Sequence, residues 1–321
     1  MKKMNMKRKV LFINKAHPYL EQRLTQLGFE CELDEESSKT ELEAKINAYF
    51  GIVIRSRVAV DRSLLEQAKN LSFVAREGVG TEHIDLEYAA EKGITVITSP
   101  EGSRDAVGEH TIGLLIALMA NLARGDRQIR EGHWFREANR AWEIKGKTVG
   151  ILGYGNMGRA FARRLKGFEA EVIAYDKYLT GYGDENAREV SLETLFEKSD
   201  ILSLHIPYMP SNHHFVDDAF LHNFKKPIFL VNTARGLVLD TAALVEHLKT
   251  GKVRGAALDV LEYEETSFEF LDFDHLPAPF HYLQQAENVV LSPHIGGWSF
   301  ESREGHARVL AEKIEAKFWK E

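Results

Sequence analysis

The sequence predicts an α/β protein built as two doubly wound parallel-sheet domains, and three features predict it. Short apolar runs alternate with helical patterns from residue 9 to residue 98, with short loops between them. A second run of the same alternation starts near residue 147 and continues to residue 291. At its head stands Gly153-Tyr-Gly-Asn-Met-Gly158, a G-x-G-x-x-G spacing between a strand pattern and a helix pattern.

Each element follows from its local pattern. Strands are expected over 9–14, 29–33, 51–55, 71–75 and 94–98, each a short apolar run bounded by turn residues. Helices over 18–27, 39–47, 62–68 and 86–92 lie between them, and Gly28 and Gly93 stop the first and last. This set is complete before the glycine fingerprint, so residues up to about 100 form a domain of their own. Residues 105–122 are the longest helical pattern. Val107, Leu114, Leu115, Leu118 and Leu122 recur at helical spacing, and other apolar residues fill much of the circumference. Such a helix must be buried on more than one side, between domains or between subunits. Residues 130–143 mix Trp134, Phe135 and Trp142 with charges, which suits an interface arm. A strand over 147–152, a helix over 156–166 and a strand over 171–175 follow. A helix over 192–198, strands over 201–205 and 228–232, a helix over 241–250, strands over 255–258 and 288–291, and an amphipathic helix over 300–318 complete the chain. Residues 263–287 break the rhythm and are expected to form a long surface loop.

Composition narrows the function classes. The 321 residues are 44% hydrophobic and 28% charged, a globular balance that argues against disorder. A net charge of −7 gives no general affinity for nucleic acid. Cys31 is the only cysteine, which excludes an intrachain disulfide and fits a reducing cytoplasm. The apolar run after the basic start is too short for a signal segment, and none reaches membrane-spanning length. No HExxH, CxxC or carboxylate cluster suggests a metal.

The glycines have separable roles. Gly153 allows the tight turn, Gly155 lets a pyrophosphate approach the backbone, and Gly158 lets the helix pack against the strand. The N–H groups of Asn156 and Met157 open the helix, where phosphates are stabilised. Asp176 ends the next strand, placed to accept from a ribose diol and to repel a 2′-phosphate. The pattern is that of a Rossmann domain preferring NAD over NADP.

Chemistry-bearing residues gather at other strand ends. Arg55-Ser56-Arg57 and the segment from Arg76 to Val79 and Gly80 make an anion cradle in the first half, as against solvated surface arginines. In the second half the segments are Val231-Asn-Thr-Ala-Arg-Gly236, Ala257 to Glu264, and Leu291-Ser-Pro-His-Ile-Gly-Gly297. An arginine, a carboxylate and a histidine are what 2-keto acid reduction requires. The arginine holds the substrate, the histidine protonates the carbonyl oxygen, and the carboxylate holds the imidazole. His213, His214 and His222 read as ordinary loop histidines.

These motifs, in this order, resemble those of the NAD-dependent D-isomer-specific 2-hydroxyacid dehydrogenases over nearly the whole chain. The resemblance implies a discontinuous substrate domain (1–103 and 294–321, flavodoxin-like) and a central cofactor domain (104–293). The long helix would join them, and the molecule would be a homodimer. It implies Arg235, Glu264 and His294 as the catalytic group. It implies His205 and Pro207 of the HxP motif, Thr233, Ala234, Asp259, Gly296 and Gly297 as further cofactor contacts. Val79 and Gly80 would bind the substrate carboxylate.

Within the family the resemblance is strongest to the branch acting on D-3-phosphoglycerate in serine biosynthesis. There Arg55 and Arg57 would face the phosphate, and Arg136 would reach the same site from a partner subunit. Bulky Trp298 would narrow the site, which favours a hydroxypyruvate, glyoxylate or lactate type of substrate. A nucleotide-sensing corepressor-like protein on the same fold is the alternative of another class. No regulatory domain is expected after Lys320.

Overall fold

The computed structural model describes residues 8–264 and 271–319. The chain divides into two compact units, residues 8–103 with 298–319 and residues 104–264 with 271–297. The second crossing between units falls after Gly297 rather than at the expected His294.

The first unit begins with β1 (Lys9–Phe12), α1 (Pro18–Gln26), β2 (Glu30–Leu33), α2 (Lys39–Lys45) and β3 (Gly51–Ile54). It continues with α3 (Arg62–Gln67), β4 (Phe73–Arg76), α4 (Leu86–Glu91) and β5 (Thr95–Thr98). The strands are parallel in the order β2-β1-β3-β4-β5, the flavodoxin-like arrangement. Alternation along the strands builds a core on each face. Leu11, Ile52, Ile54 and Val74 face Leu42, Leu64, Leu65 and Tyr88 of α2, α3 and α4. Val10, Phe12, Val53, Phe73 and Ala75 face α1 and the C-terminal helix. The edge strand β2 carries Glu30 and Glu32 exposed, which discourages pairing with another chain.

The second unit starts with α5 (Arg104–Met119) and α6 (Leu122–Arg130), then β6 (Thr148–Leu152), α7 (Asn156–Arg164) and β7 (Glu171–Tyr175). β8 (Arg188–Glu189), α8 (Leu192–Lys198), β9 (Ile201–Leu204), α9 (Asp218–His222) and β10 (Ile228–Asn232) follow. α10 (Thr241–Lys249), β11 (Val253–Leu258), α11 (Ala278–Gln285) and β12 (Val289–Leu291) complete it, and α12 (Phe300–Phe318) returns to the first unit. Its parallel strands run β12-β11-β10-β9-β6-β7-β8. The order reverses between β6 and β9, where a doubly wound sheet opens its ligand crevice.

Three expectations change. The long helix stops at Met119, because Asn121 adopts a left-handed φ of 55° and the chain bends by 62° into α6. Leu114, Leu115, Leu118 and Met119 of α5 pack into the core of their own unit, which accounts for much of its apolar surface. Among the described residues no single helix is long and apolar enough to cross a membrane. The expected loop over 263–287 contains α11, opened by Pro277 and Pro279 and anchored by buried Phe280 and Leu283. Prolines read as loop formers are here helix starters; residues 265–270 of that segment lie outside the described residues. β8 and α9 are too short to leave a periodicity in the sequence.

Candidate active site

The glycine loop follows β6. A Cβ on Gly158 would lie 2.2 Å from the Gly153 carbonyl oxygen, and one on Gly153, whose φ is +93°, 2.8 Å from that of His205. Both positions therefore require glycine. Gly155 faces open space, and no side chain caps α7, so its first N–H groups meet no intramolecular carboxylate or hydroxyl cap. Asp176 stands over this loop. Its Oδ2 accepts from the Tyr154 N–H at 2.9 Å, and its Oδ1 from the Tyr178 and Leu179 N–H groups at 2.9 and 3.1 Å. An open backbone cradle at a helix start with a carboxylate beside it fits the diphosphate and adenosine ribose of NAD. His205 differs from expectation. Its ring is buried against Phe161 and bonded through Nε2 to Ser203 Oγ at 2.8 Å, so it supports the glycine turn from the core. Burial pushes its pKa down to about 3. Pro207 is exposed, and its carbonyl accepts from the Asn212 amide at 2.5 Å.

Three strand ends assemble the chemistry. Beyond β10, the Asn232 side chain accepts from the Ala234 N–H at 3.0 Å and donates to the Arg235 carbonyl at 3.1 Å, which shapes the turn carrying Arg235. Thr233 is bonded through its hydroxyl to Thr111 at 3.0 Å. The next residue, Gly236, would place a Cβ 2.0 Å from the Leu261 backbone, so this turn lies directly on the one beyond β11. That second turn carries Glu264. Its Oε1 accepts from the Leu261 N–H at 2.5 Å, and its Oε2 lies 2.6 Å from His294 Nδ1. Arg235, Glu264 and His294 are all partly buried. His294 has a left-handed φ of 53°, and its N–H donates to the Asp259 carbonyl at 2.7 Å.

Asp259, read from the sequence as a cofactor contact, has its carboxylate filled by its own unit. It accepts from the Ile295 and Gly296 N–H groups at 3.0 and 2.7 Å, from Ser292 Oγ at 2.6 Å, and meets His110 Nε2 at 3.1 Å. Gly296 thereby commits its N–H to this carboxylate, and Gly297 follows at the end of the same turn. Burial pushes the Asp259 carboxyl up, but the bonds from His110, Ser292 and Ile295 prevail and hold it at about 2. Sequence reasoning singled out neither His110 nor Ser292. The signal was faint, one polar position among the apolar ones of α5 and one residue inside a motif noted for its histidine.

In the first unit, Arg55 and Arg57, expected to face a phosphate, each have partners within the chain. β3 ends at Ile54 and the chain bends, so strict alternation does not carry through residues 55–57. Arg57 donates from Nε and Nη2 to the Ile13 carbonyl at 3.2 and 3.0 Å, from Nη1 to Ser37 at 2.8 Å and from Nη2 to Asp34 at 3.1 Å. Arg55 pairs with buried Glu77 at 3.3 Å and stacks on the Trp298 ring at 4.8 Å. Ser56 lies between them, partly buried. Val79 is exposed and Gly80 partly buried in the loop after β4, and Arg136 is exposed in the segment after α6.

Residues 112–296 match the family model for the NAD-binding domain of the D-isomer specific 2-hydroxyacid dehydrogenases. The chain is 34% identical over 304 residues to a D-3-phosphoglycerate dehydrogenase of Archaeoglobus fulgidus, covering 93% of this chain and 56% of that protein. It is 36% identical over 280 residues to a hydroxypyruvate reductase of Thermotoga maritima, covering 87% and 88%. Among solved structures, a D-lactate dehydrogenase of Aquifex aeolicus, complexed with NAD and lactic acid, superposes with a TM-score of 0.78. That structure shares 26% identity with the chain, with coverage of 96% and 95%.

Proposed function

Since the chain belongs to the D-isomer-specific 2-hydroxyacid dehydrogenase family, we propose that it interconverts a small, unphosphorylated 2-keto acid, such as hydroxypyruvate or glyoxylate, with its D-2-hydroxy acid. The observation that carries the chemistry is the Glu264–His294 contact at 2.6 Å, on a turn packed against the one bearing Arg235. NAD, when bound, supplies or accepts the hydride at the substrate carbon. The Gly153–Gly158 loop and the start of α7 would hold its diphosphate, and Asp176 its adenosine ribose. Arg235 pairs with the substrate carboxylate and orients the carbonyl. With Nδ1 on Glu264, His294 exchanges a proton with the substrate oxygen through Nε2, and the Glu264 carboxylate stabilises the imidazolium.

The choice of an unphosphorylated acid rests on the two arginines. Arg57 is engaged by three backbone carbonyls, and the charge of Arg55 is balanced by Glu77. Neither is poised to take up a phosphate dianion without giving up those partners. Phosphoglycerate oxidation is the second reading, supported by the resemblance to the Archaeoglobus fulgidus protein and by the position of both arginines beyond β3. NADH oxidation against a panel of 2-keto acids separates the two. We expect kcat/KM for hydroxypyruvate or glyoxylate to exceed that for 3-phosphohydroxypyruvate; the reverse order would replace the first reading by the second. No turnover with any acid, alongside NADH binding, would favour a nucleotide-sensing role. We further propose that two copies associate through α6 and the exposed aromatic segment after it.

A further inference from the structure

We propose that His110 is a positioning residue for the proton-transfer step, holding the His294 turn through Asp259; this rests on the reading of His294 as the acid–base group. His110 stands on α5, remote in sequence from the turn. Its Nε2 lies 3.1 Å from Asp259 Oδ1 and 3.1 Å from Ser292 Oγ. Ser292 donates its own hydroxyl proton to the same Oδ1 at 2.6 Å, so towards His110 its oxygen acts as acceptor. The His110 proton is therefore assigned to Nε2, shared between the carboxylate and the Ser292 oxygen.

The residue enclosed by these bonds is His294. Ser292 precedes it, Ile295 and Gly296 follow it, and all three donate to Asp259. His294 itself donates to the Asp259 carbonyl and holds a left-handed φ, a conformation that persists in a residue with a Cβ only where its surroundings over-determine it. Of the donors to the Asp259 carboxylate named above, all but His110 come from the turn. His110 is thus what ties the carboxylate, and the turn with it, to a helix embedded in the core. The fit is close: a Cβ on Gly296 would lie 2.9 Å from Asp259 Oδ2 and 3.4 Å from His110 Cδ2. Without His110 the turn keeps its bonds to Asp259 at the end of β11, but the carboxylate and Ser292 lose the contact that fixes them against α5. A displacement of about 1 Å at a reacting group costs on the order of a hundredfold in rate.

The test compares His110→Ala and His110→Gln with the wild-type enzyme for kcat, KM, NADH affinity by fluorescence and thermal melting, with His294→Ala in parallel. The expected result for His110→Ala is a kcat lower by roughly tenfold to a hundredfold. KM and NADH affinity should stay within about threefold, a split that separates positioning from binding. His110→Gln, whose amide keeps a donor, should recover much of the loss. A wild-type kcat in His110→Ala overturns the proposal. So do parallel losses of kcat and NADH affinity, which would make His110 a cofactor contact, and loss of folded protein in both variants, which would make it only a support of α5. If His294→Ala itself keeps turnover, the reading of the site fails instead. If His294→Ala loses turnover while His110→Ala keeps it, only the role of His110 fails.

Discussion

Arg57 donates from all three of its guanidinium nitrogens to backbone carbonyls of residues 13, 34 and 37, and so ties separate chain segments together. Its removal should register in stability rather than in substrate choice. Arg57→Ala is expected to lower unfolding free energy by about 1–3 kcal/mol. It should leave the ratio of kcat/KM for hydroxypyruvate over 3-phosphohydroxypyruvate unchanged. A selective loss on the phosphorylated acid would restore the phosphate-binding role. The residues proposed for catalysis behave differently. Glu264 gives one oxygen to Leu261 and the other to His294, so Glu264→Gln keeps the packing but removes the charge that stabilises an imidazolium. Its kcat should fall, and that of His294→Ala should fall by about a hundredfold or more, with NADH binding little changed. Turnover close to wild type in His294→Ala would remove that residue from the mechanism. The contact of Glu264 with His294 was legible because motif context constrains both. The partners of Arg57 were not, since a backbone carbonyl leaves no trace in the sequence.

Elements dock where glycine lets backbones touch. At the junction of α12 with the turn after β5, a Cβ on Gly305 would lie 2.5 Å from the Gly102 carbonyl oxygen, and one on Gly102 would lie 2.4 Å from the His306 nitrogen. His306 Nδ1 adds contacts to Ser99 Oγ and its carbonyl at 2.8 and 2.9 Å. Gly305→Ala must push the helix off this turn, and a loss of about 1–3 kcal/mol is expected. Gly113, in α5, faces open space. Gly113→Ala should be neutral or stabilise by up to about 1 kcal/mol, the usual helix preference for alanine. Thermal melts of the pair check both, and equal effects would show that close approach is not the cause. The helix α12 was legible from its amphipathic period, but its seat was not, because the contact joins glycines some two hundred residues apart. The same limit hid α11. Its prolines suggest a loop until Phe280 and Leu283 are seen to be buried.

At the scale of the whole molecule, both sheets were legible because parallel strands buried on both faces leave apolar runs, and crossover helices separate them at regular intervals. Surfaces are less legible, and two whole-molecule predictions concern what lies beyond the cores. Leu122, Ile129, Trp134 and Phe135 are 55%, 53%, 81% and 51% exposed. Exposed apolar side chains on one helix and the segment after it are expected to be covered by a second copy, with Trp134→Glu and Ile129→Glu together shifting the mass in light scattering toward the monomer. The other prediction is a dependence on pH. Burial lowers the pKa of His205 to about 3 in one unit and of His306 to about 4 in the other, and also lowers that of His83. In the unfolded chain each would titrate near 6.5. Below that pH the unfolded chain takes up protons that the folded chain refuses, so stability falls as pH drops from about 6.5 and levels off below the folded values. The carboxylates held low, such as Asp259, act in the same direction, but only below about pH 4. Between pH 6.5 and 5 the histidines therefore dominate, His205 and His306 each contributing a loss of about 2 kcal/mol at pH 5 and His83 acting in the same direction. Thermal midpoints measured at pH 7, 6 and 5 should descend, and the descent should be shallower in His306→Gln. A flat profile in the wild-type protein, or the same slope in the variant, would show that these rings take up protons without unfolding the units that enclose them.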